Sequence, residues 1–276
     1  MRTRHGVLGM LAFGALVIPP APSSGRLVEV FGDPATADGV AIIVPGADVT
    51  VKTFDTGHHR PGGSARALLA EASRLDPDRR LAVVAWLGYD SPPTVSLDVM
   101  LDTSATRGAA ALRRAVADLR GRTAAPITLL CHSYGSVVCV KAVPGLPVTD
   151  LVVFGSPGLE DPSSAAALTP PRTPAASTLT STATAPSGTV HRTSPPPRLW
   201  AGRGDGDWIR FVPKVKLGPL GFGADPMDPA YGARLFEVGA GGHSDYFRPG
   251  TASLRNLALI ALGRHDDVTR APAAGT

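Results

Sequence analysis

The run Ile127-Thr-Leu-Leu-Cys131-His132-Ser133-Tyr134-Gly135-Ser136-Val137-Val138 constrains this chain more than any other stretch. An apolar, strand-like segment meets a Ser-x-Gly corner, and an apolar segment with helical potential follows at once. Such an arrangement sets a serine at the tip of a parallel sheet: the strand ends, one residue is held in a strained turn, and a helix begins. The turn lifts the hydroxyl clear of the backbone, and the helix N-terminus faces any negative charge that develops there. Strand and helix pass close together, so small neighbours are required. The usual pattern is Gly-x-Ser-x-Gly; here Gly135 and Ser136 are small on one side, and Cys131 stands where the first glycine is usual.

The 276 residues suit one α/β domain with a sizeable core. Net charge is +4, and without Arg2 and Arg4 it drops to 25 basic against 23 acidic residues. No Lys/Arg run stands out, so nucleic acid is not expected as a partner. Arg2 and Arg4, the apolar run Val7 to Ile18 and the exit Pro19-Pro-Ala-Pro-Ser-Ser-Gly25 read as a signal peptide over residues 1–25. The apolar run is short for a membrane span. An uncleaved N-terminal anchor is the alternative, and it is the only membrane contact expected. The chain is therefore expected to be secreted or held in the cell envelope.

Residues 26–264 alternate strands and helices. Strands are expected at Arg26–Phe31, Val40–Val44, Leu81–Leu87, Ile127–His132, Thr149–Phe154, Arg198–Gly202 and Arg234–Val238. Helices are expected at Ser64–Leu75, Ser104–Arg120, Gly135 to about Val143, and Thr251–Leu262. The exposed face of the second helix would hold Arg107, Arg113, Arg114 and Arg120. Strands separated by helix-length segments give an α/β class, a doubly wound and mostly parallel sheet with helices on both faces. Pro162 to Pro197, rich in Ser, Thr, Pro and Ala, reads as a disordered insertion. Residues 265–276 read as a flexible tail. Scattered apolar side chains from Phe211 to Tyr231 suggest one wall of an acyl pocket.

A serine hydroxyl becomes a useful nucleophile when an imidazole takes its proton and an acid orients that imidazole. On doubly wound sheets the order is serine, acid, histidine, each on a loop after a strand. Ser133, then Asp207 or Asp205, then His243 follow that order. Gly204-x-x-Asp207-x-Ile209 favours Asp207; Asp205 is the alternative acid, Asp225 lies further off, and Asp90 follows too early a strand. Among the histidines, His5, His191 and His265 lie in the leader, the insertion and the tail. His58 and His59 precede the serine and could line the pocket. His132, adjacent to Ser133, is expected to point away. An oxyanion hole is expected from the Tyr134 amide and the loop Pro45-Gly46-Ala47-Asp48, with Gly46 and Ala47 as contributors.

Cys131 and Cys139 are the only cysteines and read as core thiols, with a disulfide as the lesser alternative. No spacing suggests a metal site, a dinucleotide motif or a P-loop, so no cofactor is expected.

The stretches Val44-Pro-Gly46, Ala85-Trp-Leu-Gly-Tyr-Asp-Ser-Pro92, Cys131-His-Ser-Tyr-Gly-Ser136, Phe154-Gly-Ser-Pro-Gly158 and Gly242-His-Ser-Asp-Tyr-Phe247 together resemble an uncharacterised branch of the alpha/beta-hydrolase superfamily. The resemblance runs from about Leu27 to Gly263, apart from the insertion. It implies the alpha/beta-hydrolase fold, Ser133 as nucleophile and His243 as base. The expected activity is that of an exported serine hydrolase, esterase- or lipase-like, on a small-molecule or lipid ester, thioester or amide. A catalytically silent hydrolase-fold binding or envelope protein, or an acyltransferase using the same triad, are the alternatives.

Overall fold

In the computed structural model, residues 25–101, 103–160, 196–217 and 220–271 are described. The signal or anchor expected at 1–25 and the insertion expected at 162–197 lie almost wholly outside them, as do His5 and His191. A seven-stranded sheet runs in the order β1 (Leu27–Phe31), β3 (Leu81–Leu87), β2 (Gly39–Val44), β4 (Ile127–His132), β5 (Asp150–Phe154), β6 (Arg198–Gly202) and β9 (Arg234–Leu235). Only β1 is antiparallel, paired with β3 at one edge. A separate hairpin joins β7 (Lys216–Leu217) to β8 (Leu220–Gly221).

Strands β2, β3 and β5 are buried along their whole length, as parallel strands covered on both faces must be. Alternate side chains feed two cores. Val40, Ile42, Val84 and Leu129 pack with helices α3 (Thr103–Arg120) and α4 (Tyr134–Ala142). Ala41, Ile43, Val83 and Leu130 pack with α1 (Pro61–Leu75) and α5 (Ala252–Ala261) on the other face. A short helix, α2 (Leu97–Met100), precedes α3.

Helix α1 starts at Pro61, whose fixed φ suits the first turn and whose missing N–H would have no helical partner there. Helix α3 buries Ala105, Ala109, Leu112, Val116 and Leu119, a stripe at helical spacing. Of its arginines, Arg113 donates to the carbonyls of Ala142 and Lys141, meeting the exposed end of α4, and Arg120 donates to Pro147 and Ala125.

The last strand is shorter than its apolar run, with two residues paired to β6. The segment expected as a flexible tail is tied down as far as Ala271. Glu237 N donates to Thr269 O, Ala271 N to Leu235 O, and Asn256 brackets Thr269 from α5. These backbone pairings need no hydrophobic pattern, which is why the tail's composition does not announce them.

The chain leaves β2 for β3 on one side and returns to β4 on the other. The crevice at this reversal, at the C-terminal ends of β2 and β4, is where ligands bind in open α/β sheets.

Candidate active site

Ser133 sits at that crevice with φ 52° and ψ −128°, a strained backbone for a residue with a side chain. Three features hold it there. A Cβ on Gly135 would come within 2.5 Å of the carbonyl oxygens of Val44 and Pro45, so only glycine fits. Ser136 Oγ donates to Ser133 O at 2.6 Å and lies 2.7 Å from Ser156 Oγ. Ser133 N donates to Phe154 O at 3.0 Å.

Cys131 and Cys139 are joined in a disulfide, which corrects the reading of both as core thiols. The second turn of α4 packs back over the end of β4 and brings their Cα atoms to 6.4 Å, within the span a disulfide needs. The bridge closes a loop that contains Ser133.

His243 Nε2 lies 2.9 Å from Ser133 Oγ, and its Nδ1 lies 2.9 and 3.1 Å from Asp207 Oδ1 and Oδ2. A carboxylate only accepts, so Nδ1 carries the proton and Nε2 accepts from the serine hydroxyl. Asp207 is 1 % exposed. Burial pushes its pKa up, but hydrogen bonds from His243, Tyr246 and the Ile209 amide outweigh this and hold it below the usual value. Its turn is the one expected: Asp207 N donates to Gly204 O, and Asp207 Oδ1 accepts from Ile209 N at 2.8 Å. Asp205 is exposed, its amide bonded to Gly239 O, and stands apart from the imidazole. Asp225 pairs with Arg203 at 2.6 Å and Asp90 with Arg26.

Two residues in the site carry more than their spacing suggested. Tyr246 OH donates to Asp207 Oδ2 at 2.5 Å and accepts from Gly204 N. Burial, and then the neighbouring carboxylate, push its own pKa up. His132 does not point away. Its ring lies 4.7 Å from that of His243, and its Nε2 donates to His243 O at 2.8 Å. Burial, and then the nearby His243, lower its pKa to about 3, so it stays neutral. The signal for Tyr246 was the compact Gly242-His-Ser-Asp-Tyr stretch. There Asp245 caps the turn by accepting from Gly242 N, so that His243 faces the serine while Tyr246 lies beneath the acid.

The loop Pro45–Asp48 closes over Ser133, with Gly46 so near that an added Cβ would lie 2.6 Å from Ser133 Cβ. Tyr89 OH donates to Pro45 O and Gly46 O, and Ser91 Oγ donates to Gly46 O at 2.8 Å. This gives the Trp-Leu-Gly-Tyr-Asp-Ser stretch a physical task. Gly88 is required because a Cβ there would strike the Trp86 ring at 2.3 Å. Asp48, at φ 59°, accepts from Thr94 N and Oγ1, and Arg60 donates to Asp48 O at 2.6 Å. Helix α4 begins at Tyr134, whose ring hydroxyl ties it to Leu101 O and Ala105 N.

Ser133 and His243 open into a cleft of about 270 Å³, walled by Ala47, Asp48, His59, Arg60 and Trp208. His59 does line it, and Trp208 lies 4.6 Å from the His243 ring. The expected wall from Phe211 to Tyr231 does not form: Phe222 and Tyr231 are buried in the core beside α3 and α4, while Phe211 and Leu217 face outward. No three metal-ligating side chains gather among the described residues.

Residues 21–173, more than half of the chain, match the model of a family described as alpha/beta hydrolase. The chain belongs to the alpha/beta-hydrolase family. Asp207 and His243 lie beyond the matched segment. An uncharacterised protein of Mycobacterium tuberculosis is 29% identical over 268 residues, covering 88% of this chain and 38% of that protein. An uncharacterised protein of Mycobacterium bovis is 37% identical over 137 residues, 47% of this chain and 51% of its own length. The chain thus spans about half or less of these relatives. Among solved structures, esterase PE8 has a TM-score of 0.50 at 14% identity, covering 85% of this chain and 97% of its own, a likeness of fold.

Proposed function

We propose that this alpha/beta-hydrolase-family chain is a serine hydrolase that cleaves an ester, thioester or amide through an acyl-enzyme on Ser133. The observation that carries the reading is the unbroken line of hydrogen bonds from Ser133 Oγ through His243 to buried Asp207. His243 Nε2 takes the hydroxyl proton as Oγ attacks the carbonyl carbon, and Asp207 steadies the imidazolium. The amide of Tyr134 at the start of α4 and that of Ala47, on the loop Gly46 lets close over the serine, would receive the oxyanion. His243 then protonates the leaving group, and the acyl-enzyme forms. Water, deprotonated by the same nitrogen, attacks the acyl carbon and returns the proton to Ser133.

Export is part of the same proposal, with residues 1–25 as a signal peptide or retained anchor. The Cys131–Cys139 disulfide supports it, because such bonds persist in oxidising compartments. N-terminal sequencing of protein from the producing cell distinguishes cleavage from retention.

A fluorophosphonate probe tests the chemistry. Wild type should be labelled at Ser133 and should hydrolyse p-nitrophenyl esters. Ser133→Ala should do neither while keeping its circular dichroism spectrum. Turnover undiminished in Ser133→Ala would overturn the assignment.

A further inference from the structure

We propose that the rim of the cleft docks on an anionic phospholipid surface, from which the active site draws a lipid ester. This rests on the serine-hydrolase reading for its chemistry, but not for its binding. Ten large apolar side chains are exposed among the described residues. All except Val28 and Val30 on β1 lie in the segments that follow the C-terminal ends of β2, β3 and β6, the end of the sheet that carries the cleft. Val95 is 97% exposed next to Thr94 of the cleft wall, and Phe211 is 81% exposed on the turn that begins with Trp208.

Part of this set is physically joined. Leu217 and Leu220 are cross-strand partners in the hairpin, so their side chains share one face. Leu220 also bridges to Leu101, next to exposed Met100. Val215 O accepts from Phe222 N at the base of the hairpin. Trp208 links this crescent to His243 through their ring contact.

The occupant follows from shape and charge. The apolar groups come from several short segments rather than one continuous element, so a protein partner would need matching hollows, whereas a bilayer surface yields around protrusions. From Trp208 to Ala224 the chain carries Arg210, Lys214 and Lys216 and no acidic residue. Lys214 Nζ turns inward to Ser156 O and Ile209 O, but Arg210 stands exposed beside Phe211, a pairing of basic and apolar groups that anionic headgroups attract. Lys216 and Lys141 both pair with Glu160. Docked this way, the surface would lie across the mouth of the cleft that opens on Ser133.

Tryptophan fluorescence reads this rim directly. The chain has three tryptophans. Trp86 and Trp200 are buried and Trp208 is 46% exposed. Full-length Ser133→Ala, which needs no catalysis, is mixed with vesicles of phosphatidylglycerol and phosphatidylcholine carrying brominated acyl chains. Binding with quenched fluorescence is expected, and it should weaken on vesicles of phosphatidylcholine alone. Phe211→Asp with Leu217→Asp should lower vesicle affinity on the order of tenfold or more. In the otherwise wild-type chain, the same pair should leave hydrolysis of a soluble acetate ester within about twofold. Arg210→Glu should weaken binding to the anionic vesicles alone. Absence of binding, binding without quenching, affinity unchanged by the double substitution, or parallel loss of soluble-ester turnover would each overturn the proposal. Failure of the fluorophosphonate label would instead overturn the hydrolase reading and leave the docking result standing.

Discussion

Tyr246 gives its phenol proton to Asp207 Oδ2 at 2.5 Å while His243 Nδ1 holds Asp207 Oδ1 at 2.9 Å, so the acid is shared between the imidazole that faces Ser133 and a buried phenol. A hydrogen bond to a charged group is worth roughly 1.5–3 kcal/mol. Removing it by Tyr246→Phe leaves Asp207 Oδ2 with the 3.1 Å contact to His243 Nδ1 and leaves Gly204 N without the phenol as acceptor. We expect kcat for a p-nitrophenyl ester to fall about tenfold or more, with KM within roughly twofold, because both side chains of this pair are buried. Steady-state kinetics of the single variant settles it; an unchanged kcat would make Tyr246 a packing residue only.

The choice between the two candidate acids has its own test. Asp207→Asn keeps shape but allows the wrong imidazole tautomer, and kcat should fall by about 10⁴. Asp205 is exposed and should tolerate asparagine with kcat within about twofold. The same ester assay on both variants, with melting curves to show folding, decides which carboxylate orients His243.

His132 makes stability depend on pH in a defined window. Its ordinary pKa of 6.5 falls to about 3 in the folded chain, mainly through burial and then through His243. Between those values the unfolded chain binds a proton that the folded chain refuses. Stability therefore rises with pH across the window and is lost as pH drops from about 6.5 toward 3, at up to ~1.4 kcal/mol per pH unit. His132→Gln retains an amide donor for His243 O and removes the titration. Urea midpoints measured from pH 7 to pH 4.5 should fall more steeply for wild type than for the variant. Parallel slopes would show that the ring is not kept neutral by its surroundings.

Much of this arrangement is legible in the chain itself, and the exceptions share a physical cause. Val40–Val44, Leu81–Leu87 and Arg198–Gly202 read as strands because each is an apolar run punctuated by glycine, proline or charge. The order of Ser133, Asp207 and His243 follows from those strand ends. Adjacency to Ser133 predicts that His132 points away, and the corner undoes that expectation. Ser133 at φ 52° leaves the strand's conformation, and its hydroxyl no longer alternates with the residue before it. The Cys131–Cys139 pairing depends on how α4 leans on β4, which no local pattern encodes. The stretch 203–231 has no periodicity because long-range contacts hold it, among them Arg203 to Asp225 and Tyr231 OH to Leu159 O and Glu160 O.

The disulfide offers a separate measurement. It spans eight positions across the serine corner, and closing so short a loop restricts the unfolded chain by about 2–3 kcal/mol. Cys139→Ser should lower the urea unfolding free energy by that amount. Adding reductant should weaken the wild type similarly and leave the variant unchanged. A variant as stable as the wild type under non-reducing conditions would mean that the two sulfurs are unlinked in solution.

The loop that closes over Ser133 provides the sharpest structural test. An alanine at Gly46 would put its Cβ 2.6 Å from Ser133 Cβ and 3.2 Å from His132 O, so the backbone must move away. It cannot move freely, because Tyr89 and Ser91 grip the carbonyls of Pro45 and Gly46, and Thr94 and Arg60 hold Asp48. The strain therefore falls on the amide of Ala47, an oxyanion donor in the proposed mechanism. Loss of one such donor costs about 10²–10³ in kcat with little effect on ground-state binding. Gly145→Ala is the control: its φ of 79° makes the substitution strained, but nothing lies within 4 Å of the added Cβ. That change should cost about 1–2 kcal/mol of stability and leave kcat alone. If Gly46→Ala behaved like Gly145→Ala, losing stability but not kcat, the Pro45–Asp48 loop would be scaffold, and the oxyanion would have to be met elsewhere.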